Sequence, residues 1–169
     1  MKTRNLILTA ILTALALVAF TIEAAIPPLT PIYGIKLGIA NVFTLFALYA
    51  LGTRYAAALL FLRIVLGSIF TGQVVSFIYS LTGGVLAFLL MVLLKRFFPL
   101  KQVWILSVLC AVMHNIGQLL AAIFMTSTVQ IIYYLPVLVV SGIIAGAFTG
   151  LCAQLVFIRL KKWSESRYS

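Results

Sequence analysis

The sequence predicts an all-α polytopic membrane protein with six transmembrane helices, and its composition is the first support for this. Of its 169 residues, 64% are hydrophobic and only 8% are charged, and the mean hydropathy is +1.25. A soluble domain of this length lacks the polar surface to cover so many apolar side chains. Twelve lysines and arginines stand against two acidic residues, Glu23 and Glu165. Because the basic residues form short clusters between apolar runs, they indicate membrane topology rather than nucleic-acid binding.

Six apolar segments account for most of the chain and form one domain over residues 1–169. Each is close to the roughly twenty residues that span a bilayer, although the second and third are short. Lipid offers backbone groups no water to bond, so each segment is expected to be α-helical. We expect the first to be a transmembrane helix rather than a signal peptide, because it leads into prolines. The segments are Leu6–Ala25, Ile35–Leu51, Tyr55–Phe70, Val74–Leu94, Val103–Met125 and Ile131–Ile158.

The distribution of positive charge predicts that the N- and C-termini are both cytoplasmic. With six spans, ten basic residues fall on one side of the membrane, and only Lys36 lies in a loop on the other side. An excess of lysine and arginine marks the cytoplasmic side, and five or seven spans would break this partition. The ten residues are Lys2, Arg4, Arg54, Lys95, Arg96, Lys101, Arg159, Lys161, Lys162 and Arg167.

The stretch from Pro27 to Asn41 separates the first two segments and is therefore predicted to lie on the outer face. Its three prolines have a fixed φ and no backbone donor, so they do not fit inside a regular helix. Two interpretations stay open for it. It is either a simple surface loop or a structured cap, at about residues 26–36, that brings Lys36 and Asn41 to a binding site.

Polar side chains within the apolar segments fall mainly in the predicted outer half of the membrane. Such side chains are expensive in lipid and usually face a cavity or a partner. At about 1.5 Å per residue, Arg63 lies roughly 13 Å into the third segment, near the midplane, and His114 lies at a similar depth. We predict a cavity that opens outward, with these two residues as its floor. The candidate substrate-binding residues are Lys36, Asn41, Arg63, Gln73, Ser76, Tyr79, His114, Asn115 and Gln118.

The alternative for these residues is structural, as unrelated interhelix hydrogen bonds together with a buried ion pair between Glu23 and Arg63. Arg63 is then either the permanent partner of Glu23 or a ligand contact compensated by water and an anion. We favour the ligand contact because Arg63 shares its depth with His114. A guanidinium offers a planar fork to phosphate or carboxylate, so this interpretation favours an anionic ligand.

Small residues spaced four apart mark places where two helices approach closely. Gly142, Gly146 and Gly150 repeat this spacing through the sixth segment and are expected to pack within the bundle. Ala10 and Ala14 show the same spacing in the first segment. For these two alanines, packing within the chain and contact with a partner protein both stay open.

Five sequence blocks, spread over nearly the whole chain, carry a family resemblance. In order they are PIYGIKLGIANVFTLFALYALG, LRIVLGSIFTG, SFIYSLTGG, HNIGQLLAA and YLPVLVVSGIIAGAFTG. They resemble the heptaprenyl diphosphate synthase component I family, whose members are also called Gx transporters. IKLGIAN and HNIGQ are the most specific parts of the resemblance.

That family is similar to the substrate-binding S components of energy-coupling factor (ECF) transporters. S components are six-helix proteins that bind vitamins or metal ions from outside and associate with a transmembrane T subunit and two ATPases. The resemblance implies a multi-pass protein of the bacterial cytoplasmic membrane, with Ala10 and Ala14 at the motif that docks the T subunit. The blocks carry no recognisable vitamin-site signature, so the identity of the ligand is not implied.

The residue types do not suit an enzyme, despite the word synthase in the family's name. Prenyl chain elongation usually needs aspartate-rich motifs that hold Mg²⁺ against diphosphate, and this sequence has no aspartate. It has no Walker lysine loop, and its one histidine has no paired carboxylate or nucleophile. Cys110 and Cys152 lie in apolar runs and are expected to be packing residues. We expect no catalytic activity, cofactor, metal site or nucleic-acid partner.

Two functions are compatible with the sequence. The first is an S component that captures a small anionic or amphipathic solute from outside, with a T subunit and two ATPase subunits as partners. The second is a non-transporting membrane accessory subunit of prenyl diphosphate or quinone metabolism. Both place the chain in the lipid bilayer.

The predicted topology can be tested by labelling single cysteines at positions 30 and 98, after Cys110 and Cys152 are replaced by alanine. A membrane-impermeant maleimide should label position 30 in intact cells and position 98 only after permeabilisation, because positive charge is retained on the cytoplasmic side. The reverse pattern of labelling would overturn the orientation.

Overall fold

The computed structural model describes residues 3–25, 38–72 and 74–166, and within these ranges it contains helices and no strand. Three short 3-10 helices connect α4 to α5 and α5 to α6, at Lys95–Phe97, Leu100–Gln102 and Val129–Tyr134. The predicted all-α class is confirmed. The α-helices in the described ranges are α1 (Thr3–Ala25), α2 (Asn41–Ala50), α3 (Thr53–Thr71), α4 (Val74–Leu94), α5 (Val103–Thr126) and α6 (Leu135–Ser166).

The helices agree with the predicted six-helix membrane protein. Among the described residues, α1, α3, α4, α5 and α6 are long and apolar enough to cross a membrane, and α2 is a shorter apolar helix of ten residues. Large apolar side chains cover the outside of the bundle, among them Phe124 at 87% exposed and Phe70 at 72%. A surface of this kind is stable against lipid and not against water.

Two predicted boundaries are wrong, each for a local reason. The second segment was placed from Ile35, but α2 begins at Asn41 because residues 38–40 form a turn, with Gly38 at φ +78°. The sixth was placed from Ile131, but α6 begins at Leu135, after the 3-10 helix. Pro136 stands in the first turn of α6, where its missing N–H leaves no helical hydrogen bond unmade. The predicted cap at residues 26–36 lies outside the described residues.

The three glycines of α6 pack within the bundle, as predicted. A Cβ atom at Gly146 would lie 2.7 Å from Val108 Cα, and one at Gly150 would lie 2.6 Å from Trp104 Cα. The backbones of α5 and α6 therefore touch along this face. A hydrogen bond of 3.1 Å between the Ser107 and Thr149 hydroxyls joins the two helices at the same level.

The shortest helix, α2, lies at the centre of the bundle. It contacts each of the other five described α-helices. Leu45 and Leu48 of α2 are buried in an apolar core with Leu59, Leu106 and Phe157. We call the end of the bundle near Gly38 and Ser127 the outer end, and the end near Gly52 and Lys95 the inner end, following the predicted orientation.

The contact between α5 and α6 predicts a large effect of Gly146→Val. The new side chain would meet backbone atoms of α5, which cannot move aside, so the substitution should cost about 1–3 kcal/mol of stability. Thermal unfolding of the purified protein in detergent measures this. Cys152→Val is the matched control, because Cys152 is exposed on the same helix. Equal melting of the two variants would contradict the packing described here.

Candidate functional site

Polar side chains from four helices meet at the outer end of α2. They are Glu23 from α1, Asn41 from α2, Arg63 from α3, and His114 and Gln118 from α5, and we call them the polar cluster. Asn41 is half-buried, and the other four are buried, with Arg63 and His114 each 3% exposed. Groups as polar as these are kept out of water only where other groups compensate them.

Among the described residues, Arg63 has a hydrogen-bond partner for Nη2 and none for Nε. Its Nη2 donates to Asn41 Oδ1 at 3.0 Å, whereas its Nε has no partner among the described residues. Arg63 also interacts electrostatically with Glu23 and with His114. The guanidinium is therefore held in place on one edge by Asn41, and it keeps an N–H donor that a further acceptor can take.

Glu23 binds the backbone that leads into α2. Its two carboxylate oxygens accept hydrogen bonds from the N–H groups of Gly38 and Ile39, the latter at 3.1 Å. The N–H groups of residues 41–43 donate to the carbonyls of residues 38–40. Every backbone donor from residue 41 to 43, and those of residues 38 and 39, thus has a partner. The negative charge also lies where the helix dipole of α2 is favourable to it.

His114 lies directly beneath Gly38. A Cβ atom at Gly38 would lie 3.2 Å from His114 Cδ2 and 2.9 Å from Asn41 Nδ2. The positive φ of Gly38 and its lack of a side chain together allow this approach. Among the described residues, the turn before α2 therefore packs against His114 at the point where the sequence predicts an outward cavity.

Two adjacent glycines of α4 lie beside the polar cluster, and the first of them makes room for it. A Cβ at Gly83 would lie 2.9 Å from both His114 Nδ1 and Gln118 Cγ, and one at Gly84 would lie 3.8 Å from Arg63 Nη2. His114 Nδ1 has no hydrogen bond of good geometry among the described residues. A side chain at Gly83 would displace the imidazole, whereas one at Gly84 would press on Ile64 and Leu60, whose Cδ1 atoms would lie 3.1 Å and 3.3 Å from its Cβ. Sequence reasoning did not include these glycines in the site, although they stand in the SFIYSLTGG block.

Other predicted site residues lie elsewhere. Asn115 points to α6, where its Nδ2 donates to Leu138 O at 2.7 Å, so it joins two helices and is not part of the polar cluster. Tyr79 is buried in an apolar cluster with Leu119 and Leu138. Ser76 is buried on α4, and its hydroxyl has no partner among the described residues. Lys36 and Gln73 lie outside the described residues.

Two further residues bear on the site without having been predicted for it. Glu23 is predicted to lie in the outer polar layer and is a possible partner of Arg63, but it is not among the candidate binding residues; its signal is that it is the one acidic residue within the apolar segments. Thr44, one turn after Asn41, is buried at 1%, and its hydroxyl has no partner in the described structure. No pattern in the sequence marks Thr44, because threonines are common in transmembrane helices.

The polar cluster offers groups that can bind a polar or anionic ligand. Arg63 Nε can donate to an anionic oxygen, and a charge-assisted bond of this kind is stronger than one between neutral groups. His114 and Gln118 can each donate or accept a hydrogen bond. No group of three or more histidine, cysteine or acidic side chains in the described structure is arranged to hold a metal ion.

Comparison with protein families gives one match. The family model described as heptaprenyl diphosphate synthase component I matches residues 12–156, which include all six α-helices in whole or in part. Comparison with curated proteins and with solved structures finds no match.

The hydrogen bond between Arg63 and Asn41 predicts that Asn41→Leu is destabilising. Leucine has a similar volume but no acceptor, so it would leave a buried cationic N–H unpaired at a cost of about 1–3 kcal/mol. Thr44→Val is the matched control on the same helix. It removes a hydroxyl that already has no partner, so it should leave stability unchanged or raise it. Thermal unfolding of both variants decides this, and equal losses would show that Asn41 does not support Arg63.

Proposed function

The chain belongs to the heptaprenyl diphosphate synthase component I family, and we propose that it is the substrate-binding membrane subunit, or S component, of an ECF-type transporter. In this role it captures a small anionic or amphipathic solute from outside the bacterial cytoplasmic membrane for uptake. A transmembrane T subunit and two ATPase subunits would complete the transporter.

One observation carries the proposal, namely a buried arginine whose Nη2 is bound to Asn41 and whose Nε has no partner in the described part of the chain. Arg63 lies beneath the segment that follows the predicted outer cap, and Gly38 of that segment closes over His114. A solute with a carboxylate or phosphate that reached this point would find a pre-oriented cationic donor. Asn41 keeps the guanidinium in place before the solute arrives, which lowers the entropic cost of binding.

The surface of α1 supports a role for a partner. Ala10 and Ala14 are both exposed, and large apolar residues such as Ile7 and Ile11 are exposed beside them. A small-xxx-small pair on an exposed face lets the backbone of another helix approach closely. We propose that these two alanines dock the T subunit, as the resemblance implies.

The proposal assigns no catalytic step to this chain. ATP hydrolysis would belong to the ATPase subunits. The polar cluster would bind and release the solute through Arg63, His114 and Gln118, and no described residue has to form or break a covalent bond.

A second candidate function is an accessory subunit of prenyl diphosphate or quinone metabolism. The family's description favours it, and so does a groove of about 580 Å³ between α4 and α5. The groove suits a hydrocarbon chain, because Thr82 is the one polar side chain in its lining and its hydroxyl already donates to Ile78 O at 2.8 Å. The lining residues are Ile78, Leu81, Thr82, Val85, Leu86, Gly117, Leu120, Ala121 and Phe124.

Co-purification from the native membrane tests the proposal. The tagged wild-type protein should bring down a T subunit and ATPases, and Ala14→Leu should lose them while melting at the same temperature, because leucine blocks close helix approach. Mass spectrometry of the same preparation should find a bound anionic solute, which Arg63→Ala loses and Arg63→Lys retains only in part.

The matched control for docking is Ala25→Leu, the same substitution at an exposed position near the other end of α1. It should leave the complex intact. Capture of a soluble prenyl synthase or quinone enzyme, in place of a T subunit and ATPases, would support the second candidate. Recovery of the full complex with Ala14→Leu would contradict the proposed docking surface.

A further inference from the structure

The inner end of α2, like its outer end, is bound by side chains of other segments. Lys95 Nζ donates to Leu48 O at 2.8 Å, and the Tyr49 hydroxyl donates to Phe98 O at 2.8 Å. The Lys95 ammonium also lies over the Tyr49 ring, 5.3 Å from its centre. A cation at the C-terminal carbonyls of a helix is favourable to the helix dipole. The turn after α4 thus fastens the last residues of α2.

Aromatic packing adds a second attachment at this end. The ring of Phe46 stacks on Phe157 of α6, with centres 4.7 Å apart and planes 10° apart, and Tyr49 packs against the same ring at 5.9 Å. The inner end of α2 is therefore joined to both the turn after α4 and the inner part of α6.

Between its two ends α2 is a short and uniform rod. Its ten residues contain neither glycine nor proline, and at about 1.5 Å per residue they span roughly 15 Å. Leu45, Ala47 and Leu48 are each at most 1% exposed within the core. A helix without a break, packed on several sides, moves as a unit rather than bending, because close-packed interiors do not deform continuously.

We propose that α2 couples the cytoplasmic turn to the polar cluster, so that loosening either end of the helix loosens the other. An acidic group of a cytoplasmic partner that takes Lys95 away from Leu48 O would release the inner end. The start of α2 would then leave its bonds with Glu23 and Arg63, and Gly38 would withdraw from His114. The inference concerns the fold and goes beyond the proposed function, since it holds whether or not the chain carries a solute.

Hydrogen exchange of the backbone amides tests the coupling in the full chain, purified in detergent. The variant is Lys95→Met, and the amides read at the far end are those of Gly38 and Ile39, which donate to Glu23. Their exchange should accelerate by about tenfold or more, the factor that corresponds to losing one hydrogen bond to a charged group. Lys101→Met is the matched control, because it removes the same charge from an exposed position of the same turn.

The reverse direction uses Glu23→Gln, which weakens the outer attachment. Exchange at Leu51 and Gly52, whose amides donate to Ala47 O at the inner end, should accelerate as well. The melting-temperature shifts of Glu23→Gln and Lys95→Met should not add in the double variant, although residues far apart normally behave independently.

Acceleration confined to residues 47–52 and 95–98 in Lys95→Met, with residues 38 and 39 unchanged, would overturn the proposal. Equal acceleration at residues 38 and 39 in Lys101→Met would also overturn it, because the effect would then come from the loss of a positive charge and not from the loss of the bond to Leu48 O. If Lys95→Met does not fold, Tyr49→Phe replaces it, because it removes only the hydrogen bond to Phe98 O. Exchange at residues 38 and 39 is then compared between Tyr49→Phe, Lys101→Met and the wild-type protein.

Discussion

Burying one guanidinium is the constraint on which much of this bundle depends. A charge in the hydrocarbon layer costs several kcal/mol unless nearby groups compensate it. At Arg63 the compensation comes from two other helices, through the hydrogen bond that Arg63 donates to Asn41 on α2 and the electrostatic interaction with Glu23 on α1. Since the same carboxylate also binds the backbone at residues 38 and 39, α1, α2 and α3 have to meet at one point.

The neighbouring helices have glycine where they pack most closely around that point. On α4, Gly83 leaves room for the imidazole, and on α5, Gly117 lets the two helices touch, with a Cβ there lying 2.8 Å from Gly83 Cα. Farther along α5, the glycines of α6 play the same part. Close contact between backbones replaces the hydrophobic effect, which gives no driving force between helices within lipid.

The sequence was sufficient to predict the helices. A long apolar segment in lipid has to satisfy its own backbone hydrogen bonds, and the α-helix does this within one segment. Contacts between helices were harder to predict. Asn115 and His114 are adjacent in the chain, yet about 100° of helical rotation sends one toward α6 and the other toward α4. The start of α2 was also missed, since apolar residues continue on both sides of the turn at Gly38. Glu23 binds backbone groups, which no side-chain pattern records. The candidate site was therefore predicted as a layer of the membrane, and the structure brings together Asn41, Arg63, His114 and Gln118 from that layer.

The brevity of α2 has a consequence for how the protein is made. Ten residues cover about half of the roughly 30 Å of hydrocarbon, so this helix is too short to be integrated into a bilayer as an independent span. Only Leu51 and Gly52 separate it from α3, which places Arg54 at the tip of a helical hairpin. We therefore expect α2 and α3 to be inserted as a pair, with that arginine at the inner end of the bundle. The polar groups at the far end of α2 find their partners after insertion, during assembly of the bundle, so the last step of biogenesis is also the one that completes the site.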